Sequence, residues 1–242
     1  MEAIKIENLT KKYKDTVAVD NLSLTVLKGE LFSLLGVNGA GKTTTIKTLS
    51  CITSASGGDA FLNGYSIKTE PSKVKSIIAV SPQETAVAPN LTVYENLELI
   101  CGIHGFSKDD TKEKTENQTQ LLNLESVINK KAGKLSGGYK RRLSIAMALI
   151  SDPEILFLDE PTLGLDVLSR ADLWDIIKNL KGKITIVLTT HYMEEAEALS
   201  DRIAIMKDGK LLICDTSAAI KEKTGTNNFE EAFVKIVRGE AV

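Results

Sequence analysis

Cysteine is scarce in this 242-residue chain: Cys51, Cys101 and Cys214 are its only three, and they stand far apart. An odd number at such spacing builds neither a disulfide framework nor a zinc site, and reads as buried thiols in a reducing compartment. Long apolar runs are missing too. Nothing approaches the ~18 residues a membrane span needs, and the start, MEAIKIENL, lacks the basic segment and apolar stretch of a secretory leader. A soluble, cytoplasmic chain is expected. Charge of one sign is also lacking: 30 Lys+Arg against 32 Asp+Glu leave a formal net charge of −2, which argues against a protein that coats nucleic acid or an anionic membrane. Internal repeats and low-complexity tracts are absent. The 43% of hydrophobic residues suffices for a full core without staples.

What is present falls into blocks of different periodicity. Ile4 and Ile6, then Val17, Val19, Leu22, Leu24 and Val26, alternate with polar residues as half-buried antiparallel strands do, with Lys28-Gly29-Glu30 as their turn. LFSLLG, residues 31–36, is a short continuous apolar run suited to a strand buried on both faces, and a helix starting near Lys42 follows it. Asn63-Gly64 marks a turn, and IIAVSPQ, residues 77–83, a strand leaving a core. From Pro89 to about Leu149 the texture is helical: Thr92-Val93-Tyr94-Glu95 is a capping box, and a charged helix runs over about residues 111–124. After Pro153, ILFLD, ITIVLTT and RIAIMK are separated by helices at 167–181 and 193–199, a βαβ rhythm that implies a largely parallel sheet. Asp208-Gly209 closes a late hairpin, and residues 223–228 are the best candidate for a flexible joint.

The strand–helix junction carries GVNGAGKTT, residues 36–44, which fits G-x-x-x-x-G-K-[ST]. Amides of Gly39, Gly41 and Lys42 can converge on phosphate oxygens only where little side-chain bulk intervenes, and the helix dipole adds positive potential there. Gly36, Asn38, Ala40 and Thr44 complete the expected loop. Lys42 would reach the β and γ phosphates, and the Thr43 hydroxyl is placed to bind Mg²⁺. A glycine-rich turn alone would need neither the lysine nor the threonines.

ILFLDEP, residues 155–161, ends in two acids at the carboxyl edge of a buried strand, where open α/β sheets bind ligands. Asp159 is expected to hold Mg²⁺ through water and Glu160 to polarise an attacking water as general base. Gln83 and His191 each follow a strand and point to the same edge, as candidates to sense a γ-phosphate: Gln83 by touching metal or water, His191 by hydrogen bonding.

KLSGGYKRR, residues 134–142, poses a question of charge. Ser136 with Gly137 and Gly138 reads as a helix entry, yet the first turn holds no acid and is followed by Lys140, Arg141 and Arg142. A solvated face is the simplest account for at least one of these cations, and positive potential beside a nucleotide is the functional alternative. Leu97, Leu99, Ile100 and Ile103 read as the helical segment's own core.

With the phosphate loop, Gln83, LSGGY, LDEP, Gly164-Leu165-Asp166 and His191 in this order, the chain resembles the ATP-binding cassette ATPases over nearly its whole length. The resemblance implies an α/β phosphate-loop NTPase with a RecA-like core and N-terminal antiparallel β-subdomain (1–88 and 152–215), an inserted helical subdomain (89–151) and a short C-terminal extension (216–242). It implies that Tyr13 stacks on adenine, that Val19 lines base and ribose, and that Asp166 belongs to the nucleotide site. Ser136 and the glycines after it would contact the γ-phosphate of ATP held by a second, head-to-tail ATPase subunit, as a homodimer in the ATP state. Tyr139 stands where a glutamine is more familiar. HYMEEAEALSDRIAIMKDGKLL and FEEAFVKIV look most like exporter-type, drug-resistance-like subunits that drive a separate integral membrane permease from the inner face of the cell membrane. A soluble cassette ATPase acting on nucleic acid or ribosomes is the alternative, and a nucleotide-gated module without turnover a third. The second cassette, coiled-coil insertion or basic tail usual in soluble relatives does not appear, and Lys42 and Glu160 are intact.

Overall fold

The structure, a computed structural model, describes residues 1–240. The chain opens with strands β1 (Glu2–Tyr13), β2 (Thr16–Leu27) and β3 (Leu31–Leu35), then α1 (Lys42–Leu49), β4 (Gly57–Leu62), β5 (Tyr65–Ser66), α2 (Pro71–Ile77) and β6 (Ile78–Ser81). Helices α3 (Val93–Ile103), α4 (Lys108–Leu121) and α5 (Gly137–Leu149) follow with no strand between them. Then β7 (Ile155–Asp159), α6 (Val167–Leu180), β8 (Thr185–Thr190), α7 (Met193–Leu199), β9 (Arg202–Lys207) and β10 (Lys210–Asp215) precede the closing helices α8 (Ser217–Thr224) and α9 (Phe229–Arg238).

The strands form two sheets. The larger runs β10-β9-β3-β8-β7-β6, parallel except where β10 turns back on β9. Every residue of β3, β7 and β8 is buried, because α1 and the smaller sheet cover one face and helices the other, and so these strands read as mainly apolar runs with buried hydroxyls at Ser33, Thr185, Thr189 and Thr190. The smaller sheet, β2-β1-β4-β5, is antiparallel. Its Ile4, Ile6, Leu9, Leu22 and Val26 share one apolar cluster with Phe32, Phe157 and Met206 of the larger sheet. On the other face Leu156, Leu158 and Leu188 meet Leu97, Leu143 and Leu173 from α3, α5 and α6. The carboxyl ends of β3, β6, β7 and β8 therefore open on one edge between these layers.

The alternation expected for the first strands is interrupted. Val19 and Leu22 are both buried although their parity differs, and between them Asn21 takes φ +52°, with the ladder jumping from Leu9↔Leu22 to Lys11↔Val19. Such an inserted residue flips the facing of all that follows. The β1–β2 connection is Lys14-Asp15, while Lys28-Gly29 leads from β2 into β3 of the other sheet, correcting its reading as a turn within the pair. Residues 223–228, read as a joint, form a capped corner: Gly225 ends α8 in the left-handed conformation, Asn228 accepts hydrogen bonds from the Glu230 and Glu231 amides at 2.7 and 3.2 Å, and Phe229 is buried. On α3, Leu97 is core but Leu99 and Ile103 face solvent, Ile103 with 71% exposure, so the apolar set divides between core and surface. Among the thiols only Cys101 is fully buried; Cys51 and Cys214 are half-buried, and burial raises the pKa of all three.

Candidate functional site

The phosphate loop leaves β3 at Gly36, whose missing side chain is a steric necessity: a Cβ there would lie 2.4 Å from the Met206 carbonyl oxygen. Gly41 caps α1 at φ +99°, and a Cβ on it would lie 2.4 Å from the Ala18 carbonyl oxygen. No side chain caps α1 and no acid stands in its first turn, which leaves its amides free for an anion. The loop is braced from outside by the β9–β10 turn. Gly209 donates to the Ala40 carbonyl at 3.1 Å and accepts from the Asp20 amide at 2.9 Å.

A cleft of about 750 Å³ opens over this loop, lined by Asn38 through Thr44 and by Gln83, Glu160 and His191 from the neighbouring strand ends. Lys42 is 4% exposed; its ammonium donates to the Gly36 and Val37 carbonyls at 2.7 and 3.2 Å and lies 3.8 Å from Glu160 Oε1. Burial lowers its pKa, with Glu160 and then Asp159 opposing. The other Glu160 oxygen, Oε2, lies 3.1 Å from His191 Nδ1. Glu160 itself sits at φ +47°, an unfavoured conformation for a residue with a side chain, held by its amide donating to the Thr189 carbonyl and hydroxyl, both at 3.1 Å.

Asp159 stands just beneath. Its Oδ1 accepts from Thr43 Oγ1 at 3.0 Å and from the Thr189 hydroxyl. Paired hard oxygens at the foot of an anion-binding loop suit a divalent cation that keeps waters and phosphate oxygens in its shell. Among the described residues no cluster of three or more His, Cys, Asp or Glu side chains could hold a metal by itself. Thr43 and Asp159, with Gln83 on the cleft wall, fit a magnesium ion brought in with a phosphate ligand.

Some expected residues lie elsewhere. Val19 is wholly buried in the core, and Thr16, Val17 and Ala18 line the cleft in its stead, since Asn21 shifts the ladder and leaves Val17 at the open tip. Tyr13 pairs with Thr16 across that tip and is 45% exposed, with Lys11 Nζ 4.8 Å from its ring centroid. Asp166 does not line the cleft: its carboxylate caps α6, accepting from the Ser169 amide at 3.0 Å and hydroxyl at 2.7 Å, bonds that hold its pKa low.

Ser136 caps α5 through the Tyr139 amide at 3.4 Å, and Ser136 and Gly137 are exposed and form no part of the cleft. Gly138 packs on α6, where a Cβ would meet Ser169 Oγ at 2.8 Å. Tyr139 lies under the Arg142 guanidinium, 4.4 Å from ring centroid to carbon, with its hydroxyl 3.3 Å from Ser126 Oγ. Of the three cations beyond it, the two arginines do not lie on a solvated face. Lys140 is half-buried, Arg142 is 9% exposed and Arg141 4%. Thr189 and Arg141 hold the site's backbone and escaped sequence reasoning: one hides in an apolar strand, the other in a run of like charges.

A family model described as "ABC transporter" matches residues 19–163. The human phospholipid-transporting ATPase ABCA3 is 40% identical over 226 residues, 92% of this chain and 13% of that protein. This chain spans from 9% to 25% of the length of the curated relatives it matches. Among solved structures, an ATP-binding subunit of an ABC transporter superposes with a TM-score of 0.85 at 26% identity, over 97% of this chain and 99% of that one. The dimeric, post-hydrolysis structure of an ATP-binding cassette bound to ADP and Pi gives a TM-score of 0.78 at 27% identity, covering 88% and 98%.

Proposed function

The chain belongs to the ABC transporter family as an ATPase domain, and from that premise we propose that it binds Mg-ATP in the phosphate-loop cleft and hydrolyses it with Glu160 as general base. The observation that carries this reading is the Glu160 carboxylate, set between Lys42 Nζ at 3.8 Å and His191 Nδ1 at 3.1 Å on the wall of that cleft.

The amides of Gly39, Gly41 and Lys42 bind the β- and γ-phosphates, and Lys42 turns from its loop carbonyls to the phosphate oxygens. Thr43 and Asp159, with Gln83, would hold Mg²⁺, which would supply charge neutralisation at the phosphates. Glu160 takes a proton from water as its oxygen attacks the γ-phosphorus and the bond to the β–γ bridging oxygen breaks. His191 orients the Glu160 carboxylate and donates to the phosphate. Tyr13 stacks on the base beside Val17 and Ala18.

Ser136 and Gly137 are exposed at a helix N-terminus without an acid, outside the cleft of their own chain. This supports their closing on ATP held by a second copy, head to tail, an arrangement in keeping with the dimeric cassettes among its structural neighbours. No helix among the described residues is long and apolar enough to cross a membrane. A membrane-spanning permease is the proposed partner, received where Leu99 and Ile103 are exposed on α3, with the ATPase peripheral at the cytoplasmic face and export as the direction.

Glu160→Gln tests the reading. It should bind Mg-ATP with affinity near that of the parent and lose about 10²-fold or more in turnover, the scale of a lost general base. Unchanged turnover would remove Glu160 from the chemistry.

A further inference from the structure

Arg141 is the most deeply buried cation of α5, and its charge meets backbone. Nη1 donates to the Pro82 carbonyl at 2.7 Å, and Nη2 to the Gln83 carbonyl at 2.6 Å and the Glu160 carbonyl at 3.5 Å. The Pro82 and Gln83 oxygens belong to chain that has just left β6 and has no further ladder partner there, while the Glu160 oxygen, just past β7, also accepts from the Leu163 amide at 3.2 Å. One turn along the same helix face, Ser144 Oγ lies 3.0 Å from Ser81 Oγ, the last residue of β6. The helix that begins at Ser136 is thus fastened at two levels to the strand end that presents Gln83, and at one to the residue carrying the carboxylate.

Apolar contact alone would seat α5 on the sheet, and a buried guanidinium is costly unless fully paired. Its planar fork, however, can bind three carbonyls from two separate segments at fixed spacing, which no apolar side chain can do. We propose that Arg141 is a positioning residue, which fixes the Gln83 and Glu160 backbones to α5 so that seating of Ser136 on a neighbouring nucleotide is transmitted to the hydrolytic groups of its own chain. This inference rests on the hydrolytic reading of the cleft. Arg141 touches no ligand; it holds the residues that do.

The test is steady-state ATP turnover of the purified full chain with Arg141→Met, Arg141→Lys and Gln83→Ala, singly and combined, beside Glu160→Gln. Arg141→Met should lower kcat by about 10²-fold, as an ångström-scale misplacement does, with KM for Mg-ATP within about twofold of the parent. Arg141→Lys, whose ammonium can still meet two carbonyls, should recover about a tenth or more of the parent rate. On the Gln83→Ala background Arg141→Met should cost no more than about 10-fold, since part of what it positions is already gone. Parental turnover in Arg141→Met, a raised KM with unchanged kcat, or an undiminished loss on the Gln83→Ala background would each overturn the proposal. Should Arg141→Met not fold, the Arg141→Lys and Gln83→Ala cycle decides by the same criterion: additive losses overturn it and non-additive losses support it. A silent Glu160→Gln beside a fully active Arg141→Met sinks the positioning role alone, whereas parental turnover in Glu160→Gln sinks the hydrolytic reading and this inference with it.

Discussion

His191 Nδ1 and Glu160 Oε2 lie 3.1 Å apart, which joins the end of β8 to the end of β7 through side chains that sequence separates by a helix. The pair is held on both sides by backbone: Glu160 through Thr189, and the Tyr192 amide through the Thr190 hydroxyl at 2.9 Å.

If His191 orients the carboxylate, His191→Ala should reduce kcat by about 10²-fold while the affinity of the chain for Mg-ATP stays within about threefold. Equilibrium nucleotide binding measured beside turnover separates the two. A loss confined to binding would place His191 on the ground-state phosphate only.

Ser136→Arg tests the head-to-tail arrangement. Mg-ATP binding to the isolated chain should be nearly intact, because Ser136 lies outside its own cleft. Turnover should fall at least about 10²-fold, and turnover per parent chain should rise with protein concentration in the dilute range. Collapse of binding to monomers would show that Ser136 serves its own chain.

Glu195 links stability to pH. It is wholly buried; Oε1 accepts from Trp174 Nε1 at 3.2 Å, while Oε2 has no hydrogen-bond partner. Burial raises its pKa, against weaker opposition from Thr190, Thr162, Trp174 and Arg170. A raised folded pKa means that the folded chain holds the proton more tightly than the unfolded one, so this contribution is full below the ordinary carboxyl range and is lost as pH rises through the folded value. Glu195→Gln should therefore gain on the parent in Tm as pH rises above the ordinary carboxyl range. Parallel melting profiles would show that the carboxyl loses its proton no less readily when folded.

The sequence displayed the phosphate loop, the capping box at Thr92 and the βαβ alternation openly because each rests on local chemistry. The box is formed as read, with Glu95 Oε2 accepting from the Thr92 amide at 2.7 Å and Thr92 Oγ1 from the Glu95 amide at 3.1 Å. Helix α2 escaped notice because of its seven residues only Val74 is buried, so it shows no apolar period. Resemblance alone puts Val19 beside the base, whereas the apolar pattern that sets it in a strand agrees with its burial; what that pattern registers only as a change of parity is the positive φ of Asn21. Arg141 illustrates a different limit: in the string KRR nothing distinguishes the guanidinium that binds the strand ends, since its partners are main-chain oxygens 19, 58 and 59 residues away.

The turn at Asp208-Gly209 has a practical bearing. It looks like a hairpin tip suited to an epitope tag or a new chain terminus, the kind of site where insertions are usually tolerated. Yet through Gly209 it ties Ala40 of one layer to Asp20 of the other, and a Cβ on that glycine would lie 3.0 Å from the Ala18 carbonyl oxygen. A graft made there would loosen the seam between the two sheets where the nucleotide is gripped, so fusions and labels belong instead on the solvent side of α4, whose polar face borders no part of that seam.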